Sequence, residues 1–154
     1  MAVKLASLRA NLKRETDGDW VDIPDLPGLR LKTRGFNYGP YLAAKSIVDA
    51  RHVRNYLAKG REVPADVLYQ ANARLYLDHI LLDWEGLDDD GEPVPVSRAE
   101  EILTDPAFRE LHDHIRYAGR QIGEVEAEFV DDAAGNSARS SAGSSRVAAT
   151  STSG

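Results

Sequence analysis

A chain of 154 residues, 42% hydrophobic and 29% charged, can bury one core and is too short for two. Its lack of cysteine excludes disulfides and thiolate metal sites and suits a reducing compartment. A formal net charge of −6 sets it against nucleic acid, so protein is the expected partner class.

In chain order, residues 1–19 are polar and weakly patterned. Leu5, Leu8 and Leu12 line at most a short helix before Asp17-Gly18-Asp19, and a loosely ordered arm is expected. The stretch Met1–Arg9 has no continuous apolar core, so no signal peptide is expected. No run approaches the roughly 20 apolar residues of a membrane span, and no membrane contact is expected. From Trp20 the period becomes two, and Pro24-Asp25-Leu26-Pro27-Gly28 separates two alternating runs, which predicts a β-hairpin over 20–34. Such a hairpin is marginal alone and needs support from the helices that follow.

Helical periodicity begins at Tyr41. Ala43, Ile47, Ala50, Val53 and Leu57 share a face, which predicts a helix over 41–59 ended by Gly60. A second helix is expected over 64–84, apolar on more than one side and therefore central. An acidic loop follows. Ser97 with Glu100 reads as a capping box for a short helix over 97–103, and Asp105-Pro106 opens the last helix, 106–129. Its seam, Phe108, Leu111, Ile115, Ala118, Ile122, Val125 and Phe129, recurs at three and four. Gly119 and Gly123 interrupt it at a spacing that allows another helix to approach closely. From Asp131 the composition falls to small and polar residues, and 131–154 is expected to be a disordered tail. The expected fold is thus mainly α, of the α+β class: a hairpin packed on about four helices, one folded domain over 20–130.

Chemical signatures are weak. His112 and His114, two apart on a helix, point about 200° apart and do not share a metal. His79 and Asp83 have i, i+4 spacing and read more simply as a polar pair than as ligands. Aligning Gly91 with the sixth position of a calcium loop leaves Gly86 and Ser97 where carboxylates belong, so Asp88-Asp89-Asp90 reads as a solvated turn. No phosphate loop, nucleophile elbow or HExxH is present, and neither cofactor, metal nor catalytic residue is expected. Lys45, Arg51, Arg54, Lys59 and Arg61 superficially suggest helix-turn-helix, but their turn is long and their surroundings acidic. Binding of a protein, and not catalysis, is the expected activity.

One stretch carries a resemblance. Asp83-Trp84-Glu85-Gly86-Leu87, then Asp90-Gly91-Glu92-Pro93-Val94-Pro95, then Ser97 with a short helix and Asp105-Pro106, resembles tail assembly chaperones of long-tailed bacteriophages. The hairpin fits, and the likeness covers about Trp20 to Phe129; valine at 96 stands where an aromatic is usual. The resemblance implies a protein of the infected host's cytoplasm, generally absent from the finished virion. It implies a chaperone that keeps the tape measure protein soluble and helps tail tube protein polymerise around it. In many such chaperones a longer, frameshifted form recruits the tube protein. The client anchors expected on the seam are Phe108, Leu111, Ile115, Ile122 and Val125, beside a motif loop of Trp84, Gly86, Asp90, Gly91, Pro93 and Pro95. Self-association is also expected among the partners. The alternative is a structural virion protein, a tail-completion or connector subunit.

Overall fold

The computed structural model describes residues 1–130, and the expectation for 131–154 lies outside them. Among the described residues two compact units are distinguished, Ala10–Glu124 and Met1–Arg9 with 125–130. Among the described residues five α-helices accompany a small β component, which bears out the mainly α, α+β class. In order these are α1 (Leu12–Asp17), β1 (Asp19–Asp22), β2 (Arg30–Thr33), α2 (Gly39–Asn55), α3 (Ala65–Leu75), β3 (Leu81–Glu85), β4 (Asp88–Asp89), β5 (Glu92–Pro93), α4 (Ala99–Leu103) and α5 (Arg109–Gly123). No helix among them is long and apolar enough to cross a membrane.

The hairpin forms as expected, with Val21 opposite Leu31. Val21, Ile23, Leu29, Leu31 and Thr33 turn inward, while Asp22 and Arg30 face out. Its support differs from the expectation. The helix read over 64–84 stops at Leu75, a π-helical turn covers Tyr76–Ile80, and Leu81–Glu85 is a third strand. That strand pairs antiparallel with β2, Leu31 facing Trp84, to give the order β1-β2-β3. The apolar residues that seemed to wrap one helix belong to two elements with different periods. A strand wins because the free edge of β2 offers backbone partners that a helix end cannot use. Arg30 bridges the outer face, its guanidinium 2.8 Å from Asp22 and 2.6 Å from Glu85.

Within residues 1–19, read as a loosely ordered arm, Leu12–Asp17 forms the short helix α1. Asn11 caps α1, its Oδ1 accepting the Arg14 N–H at 3.0 Å. Glu15 is buried, accepting a hydrogen bond from Asn37 at 3.3 Å. In helix α2 Tyr41 is buried, but the apolar stripe lies open to solvent, with Ile47 63%, Val53 50% and Leu57 55% exposed. The side of α2 that carries Ala44, Val48 and His52 faces α3 across a groove, with Ile47 and Arg51 also among its lining. The spacing is helical, as the sequence says, but periodicity does not say which side meets the core.

The capping box at Ser97 does not form. Val96–Arg98 is a 3₁₀ turn entered from Pro95, and α4 starts at Ala99 without a side-chain cap. Asp105 does cap, its Oδ1 accepting the Ala107 N–H at 3.0 Å. The last helix, expected over 106–129, is a 3₁₀ turn at Pro106–Phe108 followed by α5, which ends at Gly123. The second unit explains that end. There Val3 and Phe129 form an antiparallel bridge, the Lys4 N–H donates to the Glu128 carbonyl at 2.7 Å, and the Val130 N–H donates to the Ala2 carbonyl at 2.6 Å. Backbone groups paired this way are unavailable to a helix.

Candidate functional site

Helix α5 lies against β1 and β2. This contact decides the fate of the expected anchors. Ile115 and Ile122 are 1% and 2% exposed, among the core residues, so they are not open to a client. Val125 lies beyond the helix, in the terminal segment. Phe108 and Leu111 remain half-exposed or partly buried, and both line one cleft. Gly119 does not await a partner helix either. A Cβ there would stand 2.5 Å from Cε2 of Phe36, so its missing side chain is filled from within the domain. A Cβ on Gly123 would similarly stand 3.2 Å from Oε1 of Glu15.

The motif loop forms the facing wall. Trp84 is buried on β3, and its indole N–H donates to the Val94 carbonyl at 2.7 Å. Val94 in turn donates its N–H to the Leu87 carbonyl at 2.9 Å. Between them Asp90 and Gly91 sit at φ 50° and 90°, the two-residue turn that joins β4 to β5. Asp88 accepts the Gly91 N–H at 2.8 Å, so this carboxylate satisfies its own turn, as the sequence suggested. Pro93 closes β5 and Pro95 leads into the following 3₁₀ turn. Gly86 passes so close to the β1–β2 connection that a Cβ would lie 2.0 Å from the Gly28 carbonyl oxygen.

The resulting cleft, of about 300 Å³, is lined by Leu26, Leu87, Val94, Ile102, Phe108 and Leu111. Asp88, Asp89, Glu110 and Arg98 also line it, and Arg98 pairs with Asp89 at 3.3 Å. His114 contributes a buried ring whose Nε2 makes no hydrogen bond; the nearest carboxylate oxygen, on Glu110, is 3.8 Å away. Sequence reasoning missed Leu26, Leu87, Val94, Ile102 and His114 as wall residues. Only the position of Leu87 and Val94 inside the motif loop hinted at them. Chemically the cleft suits an apolar side chain whose neighbours are neutral or basic, since three carboxylates and one guanidinium border it.

His112 belongs to the core. Its Nε2–H donates to the Leu103 carbonyl at 2.8 Å, and its ring stacks on Tyr69 with centroids 4.3 Å apart. Burial above all, with Arg116 nearby, holds its pKa below the ordinary 6.5, against the opposing pull of the Leu103 carbonyl and Asp113. The unfolded chain therefore takes the proton first, so this stability is complete above pH 6.5 and is lost as the pH falls below it. The thermal midpoint should drop between about pH 7 and pH 5, and His112→Gln should flatten that slope in a calorimetric series. An equal slope in the variant would assign the effect elsewhere. The pair expected at His79 and Asp83 does not form, because the π turn and β3 separate them; Asp83 accepts the Trp84 N–H at 2.8 Å. Among the described residues no cluster of three or more potential ligands is placed to hold a metal ion.

A family model described as YdaY prophage protein matches residues 37–136, more than half of the chain. The match begins just before α2 and takes in both walls of the cleft except Leu26. No curated protein matches the chain, and no solved structure does.

Proposed function

This chain belongs to the YdaY prophage protein family and is phage-derived, and from that premise we propose that it is a tail assembly chaperone for the tape measure protein. The observation that supports this reading is the open apolar cleft between the motif loop and the start of α5. A tape measure protein is long and helical and exposes apolar side chains before it is sheathed. A groove of this size accepts one or two such side chains, in the manner of helix-in-groove recognition. The acidic border favours a client segment with basic neighbours and keeps the complex soluble. On this reading the protein acts in the host cytoplasm during assembly and leaves before the virion is finished. A longer frameshifted form would bring in the tail tube protein.

Co-expression with the tape measure protein of the same phage tests the proposal. The client should be soluble with the native chain and largely insoluble without it. Phe108→Glu, at a half-exposed position, should fold normally and lose most of that effect. A tape measure protein no more soluble with the native chain than without it would sink the reading. Abundant copies of the chain in purified particles would favour a structural virion subunit instead.

A further inference from the structure

We propose that the outward face of α2 is a second docking surface, separate from the cleft, and that it takes an acidic amphipathic helix of a partner protein. The observation is a set of exposed aliphatics. Leu42, Ile47, Val53 and Leu57 are 48%, 63%, 50% and 55% exposed on one helix and the turn that follows it. Single exposed aliphatics are ordinary, but here Leu42, Val53 and Leu57 share the outward side of the segment, and Ile47 extends the surface to the rim of the α2–α3 groove. An exposed apolar surface of this kind marks an interface. The patch is held rigidly. Tyr41 is buried and meets Phe36 edge-on at 5.3 Å, which fixes one end of the helix. At the other end Arg61 donates to the Asn55 carbonyl at 3.0 Å and lies over the Tyr56 ring.

Charge selects the occupant. Between Gly39 and Arg61 stand five cations and one carboxylate, in a chain whose net charge is −6. Lys45 pairs with Asp49 at 2.8 Å; Arg51, Arg54, Lys59 and Arg61 make no ion pair among the described residues. A second copy would bring like charges together across the patch, which is destabilising. Nucleic acid leaves the four aliphatics without a role and meets the acidic remainder of the chain. An amphipathic helix bearing glutamates or aspartates beside its apolar stripe answers both features at once. The inference does not depend on what occupies the cleft.

The test uses the full chain and two dye-labelled three-heptad peptides with identical leucine seams, one flanked by glutamate and one by lysine. Fluorescence anisotropy should show binding of the acidic peptide and none of its basic twin. Ile47→Asp with Val53→Asp, and separately Arg51→Glu with Arg54→Glu, should each weaken binding at least tenfold, about 1.4 kcal/mol. All four positions are exposed, so the thermal midpoints should stay put, and Phe108→Glu should bind the acidic peptide unchanged. Equal binding of both peptides, or binding indifferent to the α2 variants, overturns the proposal. So does a dimer of the native chain that Ile47→Asp with Val53→Asp dissolves, since the face then belongs to a second copy. Binding to anionic phospholipid vesicles or to duplex DNA that the same variants abolish, in place of peptide binding, overturns it as well.

Discussion

Replacing Ile115 by alanine should cost 2–5 kcal/mol of stability, about the range for emptying a buried isoleucine site, and lower the thermal midpoint by roughly 10 °C. Ile115 is 1% exposed among the core residues of a helix that lies on β1 and β2. The removed atoms leave a void that neighbouring strands and Ile122 can only partly close. Phe108→Ala, on the same helix seam but 47% exposed, should cost under about 1 kcal/mol. Denaturant titration of both variants checks the contrast. If Ile115→Ala keeps its midpoint yet loses a client, the inner seam is an interface and the core assignment fails.

Gly86→Ala should be at least as damaging, roughly 3 kcal/mol or more. Two independent costs add there. The residue sits at φ 92°, where an L side chain is strained, and its Cβ would stand 2.0 Å from the Gly28 carbonyl oxygen and 3.1 Å from the Leu29 Cα. Both obstacles are backbone, so neither can rotate away, and the motif loop would have to lift off the β1–β2 connection. Gly91→Ala separates the two costs. Gly91 has a similar φ of 90° with nothing within 4 Å, so only the conformational part, about 1 kcal/mol, should appear. Equal losses at the two positions would show that the close approach to Gly28 is not rigid.

How much of this was legible beforehand depended on the range of the interactions involved. The hairpin over Trp20–Arg34 was readable because its alternation and its Pro-Gly connection are local signals. The cap at Asp105 was local too. The third strand was hidden, because Leu81–Glu85 becomes a strand only in the presence of an edge about fifty residues earlier. The same reason explains α2. Its period was right, but the choice of inward face was made by Phe36, against which Tyr41 packs, and by α3, which no window along the helix contains. Of the expected anchors, Phe108 and Leu111 line the cleft while Ile115 and Ile122 serve the core. Heptad spacing identifies a seam without saying where along it the domain ends and solvent begins. Trp84, Gly86, Asp90 and Gly91 were singled out by resemblance, and each has a physical task in holding the loop that walls the cleft.

The strand order has a consequence for how this molecule can be approached. With β2 in the middle, every unpaired backbone group of the sheet lies on β1 or β3, and each is only four or five residues long. Asp19 and Asp22 stand on one border, Asp83 and Glu85 on the other. An extended segment adding itself to either border would have to settle beside two carboxylates along a very short run of hydrogen bonds. Short, charged borders of this kind discourage edge-to-edge stacking of the chain on itself at high concentration. Recognition is thereby left to side-chain surfaces on helices and loops, where sequence can tune it one residue at a time.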